Sequence, residues 1–175
     1  MVTRGGQRPK VPFWAVPVLV ALPVWAWVYV GTLSPTGPST SETIGAEVYA
    51  SHCSACHGSD GQGGNGPGFA GGAVFDTWPS FEDHLEWVKL GGAAWIDRHG
   101  PTYGTTARTV NGAAMPGFGD RLTNHELLHV VQYERTVLAG TNPDPADDAR
   151  LREATRAIDG DASITLDEAI AAAAE

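Results

Sequence analysis

The chain has 175 residues, with 11 Lys and Arg against 20 Asp and Glu, and a formal charge of -9. That balance excludes a nucleic-acid binder, which needs a basic face, and 42% hydrophobic residues with six Trp exclude a disordered chain. The two Cys are too few for a disulfide scaffold, and both fall within one short motif, which points to a single chemical site.

Residues 1–10 carry Arg4, Arg8 and Lys10 and no acid. No charged residue then occurs from Val11 to Ser41, and residues 11–33 are apolar. As a helix this stretch would span roughly 34 Å, enough for about 30 Å of bilayer hydrocarbon. The preceding cations predict that the N-terminus stays cytoplasmic. Trp14 at one end, and Trp25, Trp27 and Tyr29 at the other, suit the two interfaces, while Pro17 and Pro23 are tolerable kinks within a membrane. A cleaved signal peptide competes with this reading, but its apolar core is about 7–15 residues long and ends in a small-residue site. A buried soluble helix fits neither the length nor the flanking cations. Residues 34–41 read as a short linker, which would hold whatever follows close to the membrane and outside the cytoplasm.

Residues 42–139 have an organised pattern. Ser39 and Glu42 form a capping box ahead of a helix expected over 42–53. Next comes Cys53-Ser-Ala-Cys-His57, the C-x-x-C-H attachment signature of c-type haem. Two thiols three positions apart on a helical turn can reach the two vinyl groups of one porphyrin, and the next residue presents its imidazole to the iron. A thioredoxin-like pair would need a βαβ pattern, and a zinc site would need a second ligand pair; neither is present.

Eight glycines fall in residues 58–73. Ser80 and Asp83 then start a helix with Phe81, Leu85 and Val88 on one stripe, which Gly91-Gly92 stops. Residues 92–111, with Trp95, His99 and Tyr103, follow no assignable pattern. Met115 lies in a polar Gly/Pro loop where a core methionine is not expected, and Met1 lies on the cytoplasmic side. Met115 is therefore the thioether candidate for the sixth iron position. His52, His84 and His99 are rivals, each read as a surface residue. Thr123 and Glu126 begin the last helix of this region, with Leu127, Val130, Val131 and Val137 on its apolar face. No run of alternating β-branched residues predicts a strand. The region is mostly helical, with loops too long for a self-sufficient core, so a cofactor is expected to fill the middle.

His125-Glu126-Leu-Leu-His129 matches the H-E-x-x-H zinc-protease motif, but Glu126 is already assigned to the capping box and no third His follows at the required spacing. Metal binding by the His pair alone would be adventitious. Residues 140–175 form an acidic, Ala-rich tail, read as solvated helices or partial disorder. A calcium loop ending at Glu168 fails because Ala157 and Ala162 occupy its first ligand and its turn glycine; Thr165 capping a short helix is the better reading.

Residues 41–140 resemble the class I cytochrome c domain of the small bacterial type. Gly45 to Tyr49 before the C-x-x-C-H motif resembles the family's N-terminal helix, and Met115-Pro-Gly-Phe-Gly its axial loop. The segment from Leu122 to Tyr133 resembles its C-terminal helix. The resemblance implies an all-α fold around one covalent haem c on Cys53 and Cys56, with His57 and Met115 as axial ligands. It implies that the Pro67 carbonyl orients His57, and that Tyr133 packs near Gly45 where the two terminal helices cross.

With the anchor, it implies a membrane-tethered monohaem electron carrier rather than an enzyme, working on the extracytoplasmic face of the cell membrane. Its partners would be redox proteins in the same membrane. Residues 42–139 carry 5 basic against 11 acidic residues, which predicts a cationic docking patch on the partner. The alternative is a haem subunit of a larger membrane oxidoreductase, with the tail as its docking element. A haem enzyme or ligand sensor would need an open sixth position.

Overall fold

The structure is a computed structural model that describes residues 12, 15–32, 40–110 and 115–174. It divides into two units, residues 1–37 and 38–175. In the first unit, helix α1 covers Ala15–Thr32. Trp25 and Tyr29, one helical turn apart, stack at 5.0 Å between ring centroids. Among the described residues no helix is long and apolar enough to cross a membrane. Of the span expected over residues 11–33, Ala15–Thr32 is described as one helix, while Val11, Phe13, Trp14 and Leu33 lie outside the described residues. Arg4, Arg8, Lys10, Trp14 and residues 34–39 lie outside the described residues.

The second unit contains α2 (Thr40–His52), α3 (Ser54–His57), α4 (Ala73–Thr77), α5 (Phe81–His99), α6 (Asn124–Tyr133), α7 (Pro145–Gly160) and α8 (Leu166–Ala172). It is mostly helical, as expected. One departure is a minimal antiparallel hairpin, β1 (Thr102–Tyr103) with β2 (Arg108–Thr109), in which Thr102 faces Thr109 and Tyr103 faces Arg108. Two-residue strands are too short for alternation to show in the sequence.

The helix boundaries follow local chemistry. Thr123 accepts from the Glu126 backbone while the Glu126 side chain accepts from Thr123, a complete capping box at the start of α6. Ser80 accepts from the Asp83 amide and caps α5. Gly91 breaks α5 with φ 66° and ψ 176°, but the chain resumes helical geometry at once. The expected stop is therefore a kink. Ser39 of the first expected capping box lies outside the described residues, and the linker's last residues form the first turn of α2.

Helices α2 and α6 cross at Gly45, where an added Cβ would lie 2.4 Å from the His129 carbonyl oxygen and 2.5 Å from the Tyr133 Cβ. Leu127, Val130 and Val131 are buried on α6 as predicted. Val137 is not: it is 44% exposed. A π-helical turn over Glu134–Leu138 follows α6 and shifts the register, so that Glu134 and Arg135 point inward instead.

The tail is neither solvated nor disordered. Helix α7 packs on α5 and α6 and buries Leu151, Ala154 and Ile158, while α8 packs on α7 and buries Leu166 and Ala169. Asp144 caps α7 and a second capping box, Thr165 with Glu168, starts α8. The two helices share one core cluster with Val48, Tyr49, Phe75 and Leu128.

Candidate cofactor site

Cys53, Cys56, His57, Pro67 and Met115 all line one cavity in the second unit, with about 1300 Å³ of space including its solvent-open mouth. The motif sits where α2 turns into α3: the Cys53 amide donates to Tyr49 and the His57 amide to the Cys53 carbonyl, at 2.9 and 3.0 Å. This continued helical path leaves Cys53 buried and Cys56 exposed.

The glycine-rich loop then folds back over the motif. Gly63 donates to the His57 carbonyl at 2.7 Å and Gly66 to the Cys56 carbonyl at 2.9 Å. Nδ1 of His57 lies 2.7 Å from the Pro67 carbonyl oxygen. A carbonyl only accepts, so Nδ1 carries the proton and Nε2 keeps its lone pair. Burial lowers the His57 pKa and the Pro67 contact opposes that shift. The Phe69 ring stacks on the imidazole at 4.7 Å. Gly66 is needed here, because a Cβ at that position would sit 2.8 Å from the His57 ring.

The kink in α5 seats the Met115 loop. The Gly92 amide donates to the Met115 carbonyl at 2.8 Å, and the Phe118 and Gly119 amides donate to the carbonyls of Val88 and Lys89. A Cβ on Gly91 would lie 2.2 Å from the Gly117 nitrogen, so only glycine lets the loop pass. The Trp87 indole donates to the Met115 sulfur at 3.0 Å and fixes the thioether. Trp87 stacks on Tyr103 at 4.5 Å and packs edge-on against Trp95, whose indole donates to the Thr102 carbonyl. The unassigned segment 92–111 therefore buttresses the methionine side through its aromatic residues.

His84 departs most from expectation. It is 1% exposed and lines the cavity, where it meets Glu134, 2% exposed, at 3.3 Å between Nε2 and Oε2. The spacing suits an ion pair, but burial favours two neutral groups: it pushes Glu134 up to about 8 and His84 down to about 3. Arg135 and His57 also press His84 toward its neutral form. Burial, with Glu134 beside it, keeps the Cys53 thiol protonated, and the thiol donates to Glu134. His52 is an exposed residue lining the cavity, and its ring packs against Phe118. His99 lies outside the cavity lining, its ring tilted against Trp95 and paired with Glu86.

The residues fit haem c. Two thiols, an imidazole with a free lone pair and a thioether converge on a cavity walled by Phe69, Val88 and Phe118. Among the described residues Nδ1 of His84 has no hydrogen-bond partner, and it calls for a polar group on the occupant. The sequence missed Trp87, the seating role of Gly91, and the pair His84–Glu134. The turn at Gly66-Pro67, by contrast, was legible, and its Pro67 carbonyl does meet Nδ1 of His57.

Neither the curated proteins nor the solved structures contain a match to this chain. A sequence model of the cytochrome c family, by contrast, matches residues 43–137, more than half the chain, from within α2 to within the π-helical turn. Matched motif, helical fold and convergent ligands agree: the chain belongs to the cytochrome c family, as a class I c-type cytochrome with covalently attached haem.

Proposed function

We propose that the protein is a monohaem electron carrier, tethered to the outer face of the cytoplasmic membrane and serving redox proteins in that membrane. One observation carries the carrier reading: the cavity is faced by two candidate iron ligands, each held by its own hydrogen bond, His57 by Pro67 and Met115 by Trp87. The haem supplies a reversible one-electron centre, and His/Met ligation favours electron transfer over chemistry at the metal. The chain does the rest. His57 is kept neutral and oriented, and Met115 is clamped between the α5 kink and the indole of Trp87. Cys56 stays exposed beside the buried Cys53, at the side of the cavity where a partner can approach.

The tether rests on the charge-free stretch from Val11 to Ser41 behind Arg4, Arg8 and Lys10. A tether raises the effective concentration of partners in the same membrane. The acidic balance of residues 42–139 favours a partner with a cationic patch. The tail, which motivated the alternative of a subunit docked into a larger complex, is folded onto its own domain, and this favours the free carrier.

Full-length protein extracted from membranes in mild detergent tests the proposal. The ferric form is expected to show the long-wavelength iron–thioether band, and Met115→Ala to lose it and gain affinity for exogenous ligands. Stopped-flow electron transfer to a basic redox protein is expected to slow as salt rises. A wild-type spectrum without the thioether band, or a rate flat in salt, contradicts the respective part. Recovery in the soluble fraction contradicts the tether.

A further inference from the structure

The H-E-x-x-H stretch plays no part in the cofactor site, yet its two histidines meet a third donor that lies far away in sequence. Nε2 of His125 and Nε2 of His129 are 3.0 Å apart. Oδ1 of Asp159, in the last turn of α7, lies 2.8 Å from each. His129 is fully buried at the floor, while His125 and Asp159 are about a third exposed at the rim.

Protons alone serve this triangle poorly. If both imidazoles donate from Nε2 to Asp159, two N–H groups face each other at 3.0 Å. If one imidazole donates to the other, Asp159 loses a donor. A single cation satisfies all three lone pairs at once. Nε2 of His129 presents its lone pair when the proton sits on Nδ1, which has no hydrogen-bond partner among the described residues. A metal at about 2.1 Å from each atom would sit off the plane of the triangle.

We propose that His125, His129 and Asp159 form a binding site for a divalent first-row transition metal of the kind that takes imidazole and carboxylate ligands, such as zinc. The metal would clip α7 to α6 and so fasten the appended helices to the haem domain. The site is structural rather than hydrolytic. Glu126, the general base of the protease motif, is held in the capping box with Thr123 and is not part of the triangle.

The test uses haem-loaded, full-length protein stripped with a chelator, with zinc as the probe. Isothermal titration is expected to show one high-affinity zinc per chain and a zinc-dependent rise in Tm. Zinc-edge X-ray absorption, which is blind to the haem iron, is expected to report two imidazole nitrogens and a carboxylate oxygen. His125→Ala and Asp159→Asn avoid the buried His129 and keep the fold. Each is expected to weaken zinc at least tenfold and abolish the Tm rise, while His99→Ala leaves both unchanged. Absence of stoichiometric binding overturns the proposal. So does binding that survives both variants, which would mark adventitious capture by other histidines.

Discussion

At the residue scale, the buried pair His84–Glu134 is the least expected feature of the cavity. Attachment of haem converts the Cys53 thiol into a thioether, which has no proton to donate. Glu134 then loses the one contact that opposes its upward shift. The sign of its effect follows from linkage. A carboxyl raised to about 8 contributes stability at low pH, and that contribution is lost as pH climbs from its ordinary value near 4.5 through 8. His84, lowered to about 3 from 6.5, costs stability as pH falls across that interval. The two effects oppose each other between pH 4.5 and 6.5. Thermal melts of the haem-loaded protein are expected to peak in that window and decline toward pH 8. Glu134→Gln is expected to flatten the alkaline decline, and also to remove a fall in reduction potential over the same range, since a carboxylate beside the cofactor favours the oxidised state. An unchanged alkaline limb in the variant contradicts the assignment. Nothing in the sequence marked this pair. Cys53, His57 and Met115 were legible because their chemistry sits in contiguous motifs, whereas His84 and Glu134 lie 50 positions apart and acquire meaning only when α5 and the π-helical turn meet.

At the scale of elements, period and caps told most of the story. The capping boxes at Thr123 and Thr165 and the cap at Ser80 all form. The prediction for Val137 fails for a definite reason: it extrapolates a 3.6-residue period through a π turn, which adds a residue and rotates the face. The same turn brings Arg135 inward, over the Phe75 ring at 5.0 Å. The close crossing of α2 and α6 depends on Gly45. Gly45→Ala forces a methyl against backbone, and overpacking of this kind costs about 1–3 kcal/mol. Denaturant melts of the variant are expected to show that loss with an unchanged haem spectrum. A cost below about 0.5 kcal/mol, the range of neutral surface changes, contradicts the tight crossing.

At the scale of the whole second unit, one buried cation joins the parts. Arg135, fully buried, donates to the Trp78 and Pro79 carbonyls and pairs with Asp147 at 2.5 Å. Asp147 also accepts from the Phe81 amide at 2.9 Å and from Asn142 at 3.0 Å. The segment before α5, the π-helical turn after α6 and the start of α7 therefore share a single polar node. The tail looked solvated because nine acids and many alanines dilute its apolar residues. Leu151, Ala154 and Ile158 do lie on one helical face, but small residues carry a weak pattern, and the polar anchor at Asp147 carries none. Asp147→Ala strands the Arg135 charge and is expected to cost about 3–5 kcal/mol. Removal of residues 141–175 is expected to destabilise the haem domain at least as much, by equilibrium unfolding. A truncated domain as stable as the full chain contradicts the shared core.

The account as a whole depends on the cofactor being bonded to the polypeptide. Its most direct test is the intact mass of the mature protein under denaturing conditions, where a non-covalent group is lost. The expected mass is that of the polypeptide plus one haem, falling to the bare chain in the Cys53→Ala, Cys56→Ala double variant. A mature protein that weighs no more than its own sequence contradicts it.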